Sequence, residues 1–282
     1  MLADDQKNKL YLSGCLPEKN PIFFSEFEAV LKKCHIPFDL FPNTKDIWAI
    51  DFMPVQVSAD KFIQFKYNPD YLQDKEWIDS IPDVDLICDT IDLERTKSEI
   101  VLDGGNVVRS SDSVIMCDKI FSENPDIPQK KLTNMLRDLF EVNNLWFVPK
   151  QPYDFTGHAD GMIRFLDNKT LLVNDYSRES KKFQREFRNA LAKTNLNIFE
   201  IPYNPYGNKS NEQANGIYIN YLQMENVVIF PVYGMEEDEQ VLRQFQNLFV
   251  GKSIELIDCN EIANRGGVLN CISWTIQQER AV

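Results

Sequence analysis

Apolar residues recur at positions i, i+3, i+4 and i+7, with charges on the opposite face, in five segments: 23–34, 70–81, 129–142, 180–194 and 236–249. That spacing predicts five amphipathic helices. The stretches ahead of three of them are alike. GGNVVRSSDSVIMCD, GMIRFLDNKTLLVND and GIYINYLQMENVVIF each read as strand, polar turn and second apolar strand. A short apolar strand follows each of these helices, at 145–148, 198–201 and 253–258. The unit is therefore strand–strand–helix–strand, with helix starts roughly every 50–60 residues, as a repeat architecture would show. A more diverged copy runs through DIWAIDFMPVQV, FIQFKY and the second helix. The fifth copy is split: GGVLNCISWTI (266–276) closes the chain and LYLSG (10–14) precedes the first helix. Pairing of the two would close a ring and remove exposed sheet edges. The expectation is one domain over 1–282, a five-bladed α/β propeller.

Composition narrows the class. The 282 residues are 43% hydrophobic with a net charge of −13, enough apolar content for a full core. No apolar run is long enough for a membrane helix, and the start MLADDQKNKLYLSG has neither the basic nor the apolar region of an export signal. A strongly acidic chain without a basic patch is a poor partner for nucleic acid. The expectation is a soluble cytoplasmic protein that binds neither nucleic acid nor membrane. Six cysteines without a CxxC pair read as free thiols, with Cys88, Cys117 and Cys259 in strand-like apolar runs. Two histidines, His35 and His158, nearly exclude a multi-histidine metal site.

Four places break the apolar pattern with polar residues, each in a different repeat. Trp48 and Asp51 stand in DIWAIDFMP, where a carboxylate beside an aromatic face suits a planar cation; taken alone, a turn aspartate beside a core tryptophan is the stronger reading. Asp103 precedes Gly104-Gly105, a tight turn or a close backbone approach. His158 and Asp160 open the third hairpin, and strand spacing would put both on one face, as acid/base and cation-binding carboxylate or as a satisfied core pair. Cys271 follows a Gly266-Gly267 turn and Asn270 inside a strand, as a nucleophilic thiolate or a buried thiol. Together these are the parts for thiolate attack on a guanidinium carbon: nucleophile, proton shuttle and acids for the flanking nitrogens.

From DxWxxDxxP through LDGGN, GHADGMIRF and GIYINYLQMENVVIFPVYG to GGVLNCISW, the chain resembles the agmatine deiminase and bacterial-type peptidylarginine deiminase family of the pentein superfamily. The resemblance implies a five-bladed propeller and hydrolysis of a guanidino group to a ureido group and ammonia, without cofactor or metal. It implies Cys271 as nucleophile, His158 as general acid/base, Asp103 as the carboxylate assisting it, Asp51 and Asp160 as guanidinium-binding acids, and Trp48 in the pocket wall. Three positions depart from the family pattern: Ile50 replaces an arginine, Asn270 a histidine and Asp103 a glutamate. The implied partner is a small cationic guanidino substrate, agmatine first. Free arginine or peptidyl-arginine is the alternative, for which Arg109, Arg164 and Arg265 are candidate carboxylate partners or plain surface charges. Amidino transfer to an amine uses the same residues, and a propeller without catalysis would be a binding or scaffold protein. Whether the sulfur rests as thiolate is open, and a homo-oligomer is compatible with all of these.

Overall fold

In the computed structural model, which describes residues 1–207 and 213–278, the alternating apolar runs fold into five three-stranded sheets. β1 (Lys9–Ser13) and β2 (Phe38–Phe41) open the chain. β3 (Val55–Gln56), β4 (Phe62–Lys66) and β5 (Thr96–Val101) form the second sheet. The third holds β6 (Val108–Arg109), β7 (Ser113–Cys117) and β8 (Asn144–Val148). The fourth holds β9 (Ile163–Asp167), β10 (Thr170–Asn174) and β11 (Asn197–Ile201). The fifth holds β12 (Leu222–Gln223), β13 (Val227–Val232) and β14 (Ser253–Asp258). The last strand, β15 (Ser273–Ile276), returns to the first sheet, with Leu10 opposite Thr275 and Leu12 opposite Ser273. The two end segments thus close the ring as the split repeat predicts.

Each sheet has the same wiring. Its first strand lies antiparallel to the middle strand, and the middle strand lies parallel to the third. A parallel pair needs a crossover, which a helix supplies. The helices are Pro21–Lys33, Val84–Thr90, Gln129–Phe140, Lys181–Leu191 and Glu237–Leu248. They bury stripes at four-residue spacing: Phe23, Phe27 and Leu31, then Leu132, Leu136 and Phe140, then Phe183, Phe187 and Leu191. Each such side chain contributes roughly 1.5–3 kcal/mol of hydrophobic stabilisation.

The first strands β3, β6, β12 and β15 are buried along their length, as is most of β9, and β6 packs directly against β9. The third strands β5, β11 and β14 are largely exposed. Five inner strands therefore surround an axis with the third strands outside them, which is a five-bladed α/β propeller, the pentein architecture.

The second blade corrects the sequence reading. Residues 70–81 are not an α-helix but two single 3₁₀ turns, Asp70–Leu72 and Ile78–Ser80. Tyr71, Leu72 and Trp77 line a cleft rather than a sheet, so the apolar spacing there serves a pocket wall. The helix of this blade is Val84–Thr90, capped by the Asp83 carboxylate accepting from Leu86 N at 3.0 Å. Cys88 is consequently helical rather than in a strand; like Cys117 and Cys259 it is buried, and all six cysteines are free. Among the described residues, no helix is long and apolar enough to cross a membrane.

Candidate active site

Five segments converging on an axis cannot all keep pairing as strands, and just before four of the inner strands the backbone curls into a single turn. Trp48 N-caps the turn Ala49–Phe52 ahead of β3, and Asp103 N-caps Gly104–Asn106 ahead of β6. His158 N-caps Ala159–Gly161 ahead of β9. Residues 268–272 turn ahead of β15, with Ile272 N donating to Val268 O. His158, Asp160 and Cys271 thus lie in turns and not, as their spacing suggests, within strands. The turns still aim them at one point.

His158 is buried between two carboxylates. Its Nε2 lies 2.9 Å from Asp103 Oδ2 and its Nδ1 3.4 Å from Asp51 Oδ1. The same Asp103 oxygen accepts from the Tyr71 hydroxyl at 3.0 Å, and Asp51 Oδ1 accepts from Gly105 N at 3.0 Å. The glycines are there for space. A Cβ on Gly105 would lie 2.5 Å from Asp51 Oδ1 and 2.8 Å from His158 Nδ1, and one on Gly104 2.0 Å from Ile50 O. A Cβ on Gly267 would strike the Trp48 ring at 2.4 Å.

The sulfur of Cys271 sits 3.7 Å from Asp160 Oδ2 and 3.4 Å from Asn220 Oδ1. Asn220 is the member the sequence reading misses. Its Oδ1 accepts from the backbone N–H of Asn270 and Cys271, at 2.9 and 3.2 Å. Its Nδ2 donates to Asp160 at 3.0 Å, and Asn270 Nδ2 donates to the same oxygen at 2.7 Å. The signal was available: Asn220 interrupts the apolar run of the fourth repeat, just as the other site residues interrupt theirs. With it, every blade contributes a polar side chain to the axis.

Burial pushes the Asp51 carboxyl up to about 8, helped by the like charges of Asp103 and Asp160 and opposed by His158. Burial alone would lower His158, but Asp51, Asp103 and Asp160 outweigh it and raise the imidazole to about 10. Burial, then Asp160 and Asp51, hold the Cys271 thiol well above its ordinary value. At neutral pH the imidazole is therefore charged and the thiol neutral. A planar cation between the carboxylates would reverse the second condition, because its charge favours both carboxylate and thiolate.

A cavity of about 810 Å³ opens over this point, with Trp48, Asp51, His158, Asp160, Asn220 and Cys271 in its walls. Asp103 is not in the wall and reaches the cavity only through His158. At the mouth stand Trp77 and Tyr153, 50% and 77% exposed, with Arg178 and Arg265. Arg109 and Arg164 are elsewhere: both are buried and paired with Asp4, which removes them as carboxylate partners and as surface charges. Among the described residues, no group of three or more His, Cys, Asp or Glu side chains is arranged to hold a metal ion.

A family model, that of the Porphyromonas-type peptidyl-arginine deiminase, matches residues 20–277. A curated protein of Mycoplasma mycoides, named as an inferred agmatine deiminase, is 20% identical over 219 residues, 66% of this chain and 60% of the relative. The match thus spans about three-fifths of the length of such relatives. The solved agmatine deiminase of C. jejuni superimposes with a TM-score of 0.77 at 18% identity, covering 97% of this chain and 94% of that one. An inferred arginine deiminase of Porphyromonas gingivalis superimposes with a TM-score of 0.79 at 16% identity, covering 98% of each chain. At these identities the superpositions speak for the fold.

Proposed function

We propose, for a chain that belongs to the Porphyromonas-type peptidyl-arginine deiminase family, that this cleft hydrolyses a guanidino group to a ureido group and ammonia, with agmatine the first-choice substrate. The observation that carries the reading is the convergence of Cys271, His158, Asp51 and Asp160, from three blades, on one cavity wall. Three buried acids around one charged histidine leave a negative balance that suits a planar cation.

Asp51 and Asp160 take the guanidinium nitrogens, and Trp48 lines the wall beside them. The bound cation lowers the Cys271 thiol, whose proton leaves to water. The thiolate attacks the guanidinium carbon, forming a C–S bond and a neutral tetrahedral adduct. His158, already protonated, gives its proton to one nitrogen, which departs as ammonia and leaves a thiouronium cation. The neutral imidazole then takes a proton from water as its oxygen adds to the same carbon. Collapse breaks the C–S bond, the hydroxyl proton of the adduct returns to the sulfur and the ureido product leaves, while the proton first lost to water ends on ammonia as ammonium. Asp103 keeps Nε2 of the imidazole oriented throughout.

A larger substrate, free arginine or a peptide ending in arginine, is favoured by one observation. The cavity of about 810 Å³ lies in the upper part of the range that holds drug-sized ligands, and Arg178 and Arg265 at its mouth could meet a carboxylate. The test offers agmatine, arginine and a C-terminal-arginine peptide in parallel and measures ammonia and ureido product, with Cys271→Ser as control. Turnover of one of them that vanishes in the variant is expected. Silence on all three, or turnover that survives in Cys271→Ser, would overturn the reading.

A further inference from the structure

Outside the cavity wall, against Thr156 of the loop that carries His158, lies a buried lysine to which the sequence assigns no task. Lys119 begins the short helix Lys119–Glu123 that follows β7, and its side chain is only 5% exposed. A buried ammonium needs a partner for each of its three hydrogens. Lys119 donates to the carbonyl of Thr156 at 2.7 Å, and its charge is met by the carboxylates of Asp70, at 2.8 Å, and Glu123, at 3.1 Å. The ammonium also lies over the Tyr71 ring, 4.6 Å from its centroid.

These partners belong to the loops that build the acid/base pair. Asp70 and Tyr71 share the turn whose tyrosine donates to Asp103. Thr156 is two residues ahead of His158, in a turn tied by Asp154, which accepts from Thr156 N and Oγ1 and from Gly157 N. The lysine stem packs on Gly157, where a Cβ would lie 2.7 Å from Lys119 Cδ and φ is +68°. Neither loop can move without breaking a bond to the same ammonium.

We infer that Lys119 is a positioning residue for the His158–Asp103 pair, holding the loop that carries His158 and the loop that brings Tyr71 to Asp103 in fixed register. In its kinetic consequence the inference rests on the deiminase reading; in its geometric consequence it does not. Lys119 touches no cavity-wall carboxylate or sulfur, and it acts through the loops alone.

The test uses the double variant Lys119→Met with Glu123→Gln, because removing the lysine alone would leave the Glu123 carboxylate buried and unpartnered. Two readouts are taken. The first is imidazole NMR, which is simple in a chain with two histidines, His35 serving as the internal reference. The hydrogen-bonded Nε2 proton of His158 is expected to shift upfield or broaden in the variant. The second is turnover per active site, with kcat expected to fall by about 10- to 100-fold and KM to change little, as misplacement near the reacting atoms does. Asp70→Ala, at a carboxylate 65% exposed, removes one partner of the ammonium without disturbing burial and should move both readouts the same way by less. An unchanged His158 signal with unchanged kcat in both variants would overturn the positioning role. A lower yield of folded protein with full turnover per site would make Lys119 merely structural and overturn it too. If the wild type turns over no guanidine while its His158 signal still depends on Lys119, the deiminase reading falls and this one stands.

Discussion

At the head of the inner strands Asp51, Asp103 and Asp160 crowd around His158, the one histidine among them; a few residues further along the same strands, Arg109 and Arg164 meet Lys7 and Asp4. Both regions are buried concentrations of one charge, and they are handled differently. The cationic one finds most of its partners within the chain, although Arg109 Nε has no hydrogen-bond partner. Asp4 pairs with both arginines, Gln56 accepts from Lys7 at 3.1 Å, and Arg164 donates to Tyr221 O while lying over its ring. Burial and Arg109 push Lys7 well below its usual range, shedding charge that nothing matches. The acidic region faces a cavity and is only partly neutralised, so Asp51 holds a proton up to about pH 8. Position in the repeat is shared, and completion is the difference. The folded chain pairs most of the charges in one region and leaves those of the other facing the cavity.

Asp51→Asn should break the comparison most visibly. Asparagine can still accept from Gly105, but it cannot pair with a cation. kcat/KM on the best guanidine should fall by about a thousandfold, ~4 kcal/mol, the scale of a lost charge-stabilising group. The melting temperature should hold or rise, because a buried carboxyl beside two like charges is gone. The pH profile supplies the sign. Binding a cation requires ionised Asp51, so wild-type kcat/KM should climb with pH until about 8 and fall as His158 deprotonates near 10. The acidic limb should vanish in the variant. An unchanged kcat/KM would remove Asp51 from the site.

Asp4→Asn should do the reverse. It strips the buried arginines of their carboxylate and should cost about 3–5 kcal/mol of unfolding free energy, with turnover per folded molecule unchanged. The three cations overcome the effect of burial and hold the Asp4 carboxyl below its ordinary value. Its contribution is therefore fully present above the unfolded carboxylate pKa and is lost as the pH falls through the lower folded value. Denaturation at pH 7 and pH 3 measures it: the gap between wild type and variant should narrow at the lower pH. A gap that stays constant would show that the pair does not carry the stability.

The repeat itself was legible, because period-3.6 stripes and short apolar runs are what a sheet covered by helices requires, and the split fifth copy disclosed how the ring closes. Residues 70–81 mislead for a physical reason: a cleft wall asks for the same apolar spacing as a helix face, and spacing alone cannot say which surface it meets. His158, Asp160 and Cys271 were found because polar residues interrupt apolar runs, although the turns that hold them were not foreseen. Asn220 carries the same mark without a titratable group to draw the eye. Lys119 carries no mark at all, since its partners Asp70 and Thr156 are distant in sequence and meet it only through the fold.

The smallest effect tests the acidic region at its sulfur. Burial is the largest cause of the raised Cys271 thiol and Asp160 the next, so the thiolate fraction at neutral pH is low in both wild type and variant, but not equally low. Asp160→Asn replaces the charge 3.7 Å from the sulfur with a neutral amide. The thiol should fall toward its ordinary value, and alkylation by neutral iodoacetamide at pH 8 should speed up about tenfold, since the thiolate is the species that reacts. Cys88 and Cys117, both pushed up to about 12 by burial away from Asp160, are the internal references and should not change. The same substitution should weaken cation binding, so one residue would slow turnover while making its nucleophile more reactive. Alkylation of Cys271 that is already fast in wild type and indifferent to Asp160 would mean a thiolate stabilised before any cation arrives. The acidic region would then be as internally completed as the cationic one, and the contrast between them would fail at the atom where the chemistry starts.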